Sequence, residues 1–298
     1  MSRKLLFIVN PRSGKRNSGA VIERIHKILS GKINYEIGLW TNIEEFNVLA
    51  KKLKEENFTD AIAVGGDGSV NLTAKTILNS NIVLGILPTG SGNGLARSLG
   101  FSMNIEKALD QILNGKTEVI DSGEVNGHPF FCTCGVGFDA HIAYLFANLP
   151  KRGLKAYIKL VRQELFSYKP EHYSVLIDGK EIKREAFFIT VANAGQFGNN
   201  FYMAPLAKVN DGLFNVVIVK PFRLLPGLLM LLKIIRRKTH ESKFVETYTC
   251  KELIITRENK GSVHFDGEPS VLEAELKYTL KPKSLKTIVG NTFDGLKL

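Results

Sequence analysis

Short apolar runs alternate with helix-period segments through residues 1–125, and this alternation limits the folds that the chain can adopt. The apolar runs predict strands over Lys4–Val9, Tyr35–Trp40, Ala61–Val64 and Ile82–Leu87. Apolar residues at three- and four-residue spacing predict helices over Ala20–Leu29, Ile43–Glu55, Val70–Leu78 and Ile105–Leu113. Because short loops join strands to helices, we expect a parallel sheet that is covered on both faces.

Polar, glycine-bearing loops follow these strands, at the edge where open parallel sheets bind ligands. The loop after the third strand reads Gly65-Gly66-Asp67-Gly68-Ser69. Glycines allow backbone N–H groups to approach phosphate oxygens, and a carboxylate among them fits a Mg²⁺ ion between it and the phosphates. A tight strand–helix turn with a capping aspartate is the alternative interpretation of this loop alone.

Two further loops favour the nucleotide interpretation. One contains Asn10, Arg12, Ser13 and Gly14, and the other contains Thr89, Gly90, Ser91, Gly92 and Asn93. Three turns rich in small polar residues at one sheet edge indicate a shared anion. The chain has neither the GxxxxGK[ST] nor the GxGxxG phosphate-binding motif.

The pattern changes after about residue 125. Hairpin signals occur at Asn126-Gly127 and Asp178-Gly179. Strand-like runs occupy Ala186–Ala192, Phe214–Val219, Lys251–Thr256, Ser262–Phe265 and Leu276–Lys281. We therefore expect an antiparallel sandwich or barrel with helical insertions near 150–167 and 224–238, packed closely on the first half.

Charge and cysteine content narrow the function classes. The chain has 40 Lys and Arg residues against 29 Asp and Glu residues, a formal charge of +11 that favours an anionic partner. A basic stripe studded with aromatic residues is absent from the sequence, so a nucleic-acid partner is not expected. Cys132, Cys134 and Cys250 form neither a disulfide framework nor a zinc spacing, which indicates reduced thiols in the cytoplasm.

Two basic amphipathic segments indicate peripheral contact with an anionic membrane. Residues 150–166 place Lys151, Lys155, Lys159 and Arg162 on one helical stripe, and the apolar run of 224–240 ends in a basic cluster. That run contains Pro226, Gly227 and Lys233 and is too short to span a bilayer. A core-packed helix with solvated cations is the alternative for either segment.

Five motifs together resemble the diacylglycerol kinase catalytic-domain family, which includes sphingosine and ceramide kinases. They are "NPRSG", "GGDGSVN", "LPTGSGNGLAR", "APLAKVNDGLFNVVIV" and "HFDGEP". The resemblance implies an ATP- and Mg²⁺-dependent lipid kinase. It also implies an ATP-binding α/β domain over 1–125 plus a tail of about 285–298, related to NAD kinases and phosphofructokinases. Residues 126–284 would form a β-sandwich that carries the lipid site and the catalytic turn.

The resemblance also implies roles for individual residues. The residues around ATP would be Asn10, Ser13, Gly14, Thr41, Gly65, Gly66, Asp67, Gly68, Ser69, Asn71 and Ser91. Asp67 and Asp121 would organise Mg²⁺, which places Asp67 among the catalytic residues. In the Asp266-Gly267-Glu268 turn we favour Asp266 as the general base, with Glu268 as the alternative. An ordinary hairpin turn without a catalytic role is the alternative interpretation of this segment.

A second Mg²⁺ site is implied at the "KVNDGL" segment. The Asp211 side chain and the backbone carbonyls of Lys208 and Leu213 would be its ligands, and a simple hairpin turn is the alternative.

Two departures from the family pattern bear on the substrate. Leu72 follows Asn71 where many relatives have glutamate, and Gly94 follows Asn93 where many bacterial diacylglycerol kinases have aspartate. The third loop is closer to that of sphingosine-kinase-like members. The leading prediction is a kinase for diacylglycerol or a related lipid, with a sphingoid-base or ceramide kinase as the alternative. An NAD kinase, a non-catalytic nucleotide-binding protein and a homodimeric state stay open.

Overall fold

The structure is a computed structural model that describes residues 3–12, 17–149, 153–165, 167–222 and 224–293. The predicted ATP-site residues Ser13 and Gly14, and Lys151 of the basic stripe, lie outside these ranges. The chain divides into two compact units: Met1–Ile120 with Lys283–Leu298, and Asp121–Pro282. The assignment of ATP binding to one unit and lipid binding to the other stays a prediction.

The first unit alternates strands and helices in the expected order. Its elements are β1 (Lys4–Val9), α1 (Ser18–Leu29), β2 (Asn34–Leu39), α2 (Ile43–Glu55), β3 (Asp60–Gly65), α3 (Asp67–Ile77), β4 (Val83–Pro88), α4 (Gly94–Ser98) and α5 (Ile105–Asn114). The order β2-β1-β3-β4 is parallel throughout. All six residues of β3 are buried, which requires cover on both faces of the sheet.

Helix α3 begins earlier than its apolar spacing predicts. The expected start was Val70, but the helix begins at Asp67, directly after an extended Gly66. The glycine loop therefore supplies the first turn of α3 itself. Sequence periodicity missed this because Asp67, Gly68 and Ser69 carry no apolar signal.

The second unit is a sandwich of two antiparallel sheets, which together with the first unit confirms the predicted fold class. The strands that follow α5 are β5 (Lys116–Val125), β6 (His128–Phe130), β7 (Thr133–Gly137), β8 (Glu171–Ile177), β9 (Lys180–Ala186), β10 (Phe188–Ala192), β11 (Phe214–Val219), β12 (Val245–Cys250), β13 (Glu252–Arg257), β14 (Gly261–Phe265), β15 (Glu268–Leu272) and β16 (Glu275–Val289). The start of β5, up to Ile120, and the end of β16, from Lys283, belong to the first unit. One sheet has the order β16-β13-β8-β9 and the other β12-β11-β10-β7-β14-β15. Their facing residues form one buried apolar core that includes Val136, Val191, Val216, Ile255 and Leu276.

The predicted strand Ala186–Ala192 is wrong in one respect. Ala186 ends β9 in one sheet, whereas Phe188 begins β10 in the other. The chain crosses between the sheets at Phe187, whose N–H donates to the Val219 carbonyl at 2.7 Å. A continuous apolar run cannot show such a crossing, because both strands bury the same residue types.

A helical layer covers the outer face of the second sheet. It consists of α6 (Phe138–Ala147), which the sequence did not predict, α7 (Leu154–Glu164) and α8 (Leu224–Ile235). Leu160 of α7 and Met230 and Ile234 of α8 pack with Phe188 and Val217 in one buried cluster. Within the described ranges, no helix combines the length and apolar character that crossing a membrane requires.

Candidate nucleotide-binding edge and acidic turn

The parallel strands of the first unit end side by side. Val9 lies in register with both Leu39 and Val64, and Gly65 lies in register with Pro88. The register continues into the loops, because the Asn10 N–H donates to the Val64 carbonyl at 3.2 Å and the Thr89 N–H to the Gly65 carbonyl at 2.9 Å. The loops that follow β1, β2, β3 and β4 therefore leave the sheet at one edge.

Two of these loops pack backbone against backbone at glycines. A Cβ atom on Gly90 would lie 2.4 Å from the Gly66 Cα, and one on Gly92 would lie 2.7 Å from an Asp67 carboxylate oxygen. Real Cβ atoms do not approach other atoms so closely. The glycine at 90 is thus required by the contact between the loops, apart from any ligand. A Cβ atom on Gly66 would lie 3.3 Å from the Gly90 Cα, and one on Gly92 would meet only the end of a side chain.

The Asp67 carboxylate ties these loops together. Its Oδ2 accepts the Asn93 N–H at 2.9 Å, and its Oδ1 accepts the Gly94 N–H at 2.6 Å. Asn93 adopts the left-handed conformation with φ of 55° and donates through Nδ2 to the Gly90 carbonyl at 2.9 Å. Each carboxylate oxygen has a second lone pair, so metal coordination by Asp67 stays a prediction beside this structural role.

The other predicted nucleotide residues lie around this edge. Ser69 and Asn71, in the first turns of α3, are buried, whereas Ser91 is exposed. Thr41 donates its N–H at 2.6 Å and its hydroxyl at 3.0 Å to Glu45 of α2. The Thr41 N–H is the main cause that lowers the pKa of the Glu45 carboxyl. The Arg12 N–H donates to Asn10 Oδ1 at 3.0 Å, which closes the described part of the first loop.

In the second unit, the Asp266 carboxylate accepts three backbone N–H groups. Oδ1 accepts those of Cys132 at 2.7 Å and Thr133 at 2.9 Å, and Oδ2 accepts that of Phe131 at 2.9 Å. Asp266 has φ of 53°, which an aspartate tolerates better than most residues. The three N–H groups form a concave anion site for this side chain.

Glu268, two residues further on, is in a different environment. It begins β15, its side chain is exposed, and that side chain makes no hydrogen bond or ion pair with the part of the chain that the structure describes. The turn therefore presents one carboxylate bound by its own backbone and one carboxylate open to solvent.

Asp121 lies beside the predicted second metal site. Its N–H donates to the Val209 carbonyl at 2.6 Å, and its Oδ2 accepts the Gly212 N–H at 2.8 Å. Burial raises the pKa of the Asp211 carboxyl, and the negative charge of Asp121 adds to this effect. The buried Asn210 Oδ1 has no hydrogen-bond partner in the structure. Two nearby carboxylates and an orphaned amide oxygen are the donor set that a hard divalent cation prefers.

The sequence missed the donors that hold Asp266 and a buried pair behind the same turn, Asp139 and His264. "FFCTCG" was considered only for its thiols, although the N–H groups of its backbone bind the carboxylate. His264 belongs to a motif that was quoted, but nothing in its spacing distinguishes it from a core residue.

The structure thus has a glycine-loop edge on the parallel sheet of one unit and an acidic turn on the β-sandwich of the other. The description "Diacylglycerol kinase catalytic domain" matches residues 4–125, and "YegS C-terminal NAD kinase beta sandwich-like domain" matches residues 132–289. The chain belongs to the diacylglycerol kinase catalytic-domain family.

Named relatives agree with this membership. The chain is 28% identical to a diacylglycerol kinase of Bacillus subtilis over 89% of its own length and 90% of the relative's. It is 28% identical to a probable YegS-like lipid kinase of Chromohalobacter salexigens, with 80% and 78% of the two chains covered. A crystal structure of a putative diacylglycerol kinase from Bacillus anthracis superposes with a TM-score of 0.82 at 21% identity over 98% and 97% of the chains. Yeast NADH kinase shares the fold with a TM-score of 0.56 at 10% identity over 98% of this chain and 84% of that one.

Proposed function

We propose that this protein transfers the γ-phosphoryl group of ATP to the hydroxyl of a membrane lipid, diacylglycerol or a related lipid. The observation that carries the proposal is the packing of the Gly66 and Gly90 loops at the edge where the strand ends lie in register. A loop pair of this kind presents backbone N–H groups to an anion, as a polyphosphate requires.

Helix α3 supports the nucleotide assignment. It spans 11 residues, and its N-cap, Gly66, provides no side-chain hydrogen bond to the first turn. The Asp67 carboxylate in the first turn of α3 accepts the N–H groups of Asn93 and Gly94. The partial positive charge of a helix N-terminus favours an anionic ligand, and a phosphate group suits it.

We assign the general base to Glu268 rather than to Asp266, which the sequence favoured. A base needs a lone pair directed at the substrate hydroxyl. Three backbone N–H groups already occupy the Asp266 carboxylate, whereas the Glu268 carboxylate is exposed. In this proposal Asp266 fixes the turn and Glu268 takes the proton from the lipid hydroxyl.

Mg²⁺ is part of the proposal. Asp211, with the carbonyl groups of its loop and Asp121 beside it, would hold one ion in the second unit, where burial raises the pKa of the Asp211 carboxyl. Asp67 would contribute to a nucleotide-bound ion. When bound, such an ion neutralises phosphate charge during phosphoryl transfer.

The helical layer of the second unit supports contact with an anionic membrane. Its large exposed apolar side chains, among the described residues, are Tyr144, Tyr157, Ile158, Leu229, Leu231, Leu232 and Ile235. Lys155, Lys159 and Arg162 line a groove of about 520 Å³ together with Ile158 and Gln163. Exposed apolar groups among cations are typical of a surface that rests on acidic lipid headgroups.

A vesicle sedimentation assay tests this contact. Lys159→Glu with Arg162→Glu is the test variant, and Lys51→Glu with Lys54→Glu on α2 has the same change of net charge. Since each cation contributes about 1 kcal/mol near an anionic surface, the first variant should lose at least about 30-fold in affinity for vesicles that contain phosphatidylglycerol. Equal losses in the two variants, or binding that is indifferent to anionic lipid, would contradict the docking surface.

The activity itself is tested with labelled ATP, Mg²⁺ and mixed micelles that carry one acceptor each. The acceptors are diacylglycerol, monoacylglycerol, a sphingoid base, ceramide and phosphatidylglycerol, with NAD as the soluble alternative. We expect a lipid product, and Glu268→Gln should reduce its rate by about 10²–10⁴-fold. If only NAD is phosphorylated, or if none of the acceptors is, the protein is not a lipid kinase. Near-full activity of Glu268→Gln would refute Glu268 as the base.

A further inference from the structure

A buried ionisable pair lies directly behind the acidic turn of the second unit. Asp139 is the second residue of α6 and His264 lies on β14, and their side chains are only 8% and 6% exposed. His264 Nε2 lies 3.2 Å from Asp139 Oδ2. The surrounding layer is apolar, and the Phe197 ring meets the imidazole edge-on at 6.1 Å. A polar pair in such a place needs a reason, since burial of polar groups is unfavourable without compensation.

The contacts favour one tautomer of His264. The Gly267 N–H points at Nδ1 over 3.4 Å, which gives Nδ1 the acceptor role in this arrangement. Nε2 then carries the hydrogen and donates it to Asp139. His264 therefore connects Asp139 to the backbone of the residue that separates Asp266 from Glu268.

Asp139 is itself held on two further sides. The Thr190 hydroxyl donates to its Oδ2 at 2.9 Å, and the Ala140 N–H donates to its Oδ1 at 2.7 Å. Asp139 also lies in the first turn of α6, where the helix dipole favours a carboxylate. The carboxylate is thus a fixed anchor for the imidazole.

The neighbouring strand leaves space for this pair. A Cβ atom on Gly135 of β7 would lie 2.2 Å from Asp139 Oδ2 and 2.6 Å from His264 Nε2. Any other residue at position 135 would displace one of the two side chains. The strand, the helix and the turn are therefore shaped around one hydrogen-bonded unit.

We propose that Asp139 and His264 are positioning residues that set the acidic turn for phosphoryl transfer, an inference that rests on the proposed kinase activity. Asp266 is held by the N–H groups of Phe131, Cys132 and Thr133, and Gly267 is held by His264. With both residues before it fixed, Glu268 enters β15 with a defined backbone direction. A displacement of about 1 Å in such a group can cost about 10²-fold in rate.

The kinetic test compares His264→Leu with His264→Asn. Leucine removes the acceptor, so we expect kcat to fall by about 10–100-fold with an unchanged KM for ATP. The asparagine Oδ1 lies near the place of Nδ1 and can accept the Gly267 N–H, so this variant should recover most of the lost kcat. Tyr278→Phe is the control, because it removes a buried hydroxyl that contacts Cys134 in the core between the two sheets. Equal kcat for the leucine and asparagine variants, or an equal fall in the control, would overturn the positioning role.

A second measurement does not depend on activity. In ¹⁵N NMR of the imidazole rings, His264 should show the Nε2–H tautomer, and Asp139→Asn should disturb that signal. An Nδ1–H tautomer would refute the arrangement even in an active enzyme. If the wild-type chain phosphorylates none of the lipids, the proposed function fails, while the NMR result still decides whether the pair holds the turn.

Discussion

Substitution by the amide should have different effects at the two carboxylates of the acidic turn. It should lower the stability of the protein at Asp266 and the rate of phosphorylation at Glu268. Asp266→Asn keeps the shape and tolerates the left-handed backbone, so it isolates the loss of charge. Two of the three N–H bonds change from charge-assisted to neutral, at about 1 kcal/mol each, and the third N–H faces an amide donor. Because Asp266 is partly exposed, we expect a total destabilisation of about 2–4 kcal/mol.

Thermal unfolding measures this difference. For a domain of this size each kcal/mol shifts Tm by about 2–4 °C, so Asp266→Asn should lower the unfolding temperature of the second unit by about 4–16 °C. Glu268→Gln should leave Tm within about 1 °C, since an exposed side chain without partners contributes little, while phosphorylation of the lipid falls. If Asp266→Asn has the wild-type Tm, the Asp266 carboxylate does not stabilise the turn. If Glu268→Gln is unstable, the Glu268 side chain does make stabilising contacts.

Two further predictions concern close packing and thiol chemistry. Gly90→Ala should place its methyl group against the Gly66 backbone, cost about 1–3 kcal/mol and raise the KM for ATP. The control Gly31→Ala, in the same unit, has open space around it but a φ of 73°, so it should strain only its own turn and leave that KM unchanged. Equal KM values would contradict the loop contact. Burial raises the pKa of the Cys250 thiol to about 12 and that of Cys134 well above its usual value, so at pH 8 both thiols stay protonated and alkylating reagents should label them only after unfolding. Rapid labelling of the folded protein, followed by mass spectrometry of the peptides, would show that these side chains are accessible.

The sequence predicted the fold class because the two halves use different periodicities. Alternating strands and helices fix a parallel sheet, and hairpin turns fix an antiparallel one. The start of α3 and the crossing at Phe187 were missed because glycine and polar residues carry no period and buried strands look alike. Helix α6 was missed because its apolar residues occur almost continuously, and Asp139 is its one acidic residue.

The sequence identified residues of the candidate site, but it did not predict the contacts that hold them. Gly66 and Asp67 were singled out from a glycine-rich loop after a strand, and Asp266 from the resemblance to a family. Their partners are backbone groups, which every residue carries, so no sequence pattern can distinguish the N–H of Cys132 from any other. The choice between Asp266 and Glu268 therefore depends on geometry and not on residue type.

Strand β16 determines the order in which the protein can be assembled. Its first residues pair with β13, whereas Thr287 lies in register with Leu84 of β4, and the Gly290 N–H donates to the Leu99 carbonyl at 2.8 Å. During synthesis on the ribosome, the edge of β4 stays unpaired until the entire second unit and the end of β16 have been translated. Such long-range pairing slows folding and leaves an edge that can pair with other chains, so the nascent first unit is the stage at which a chaperone would protect this protein.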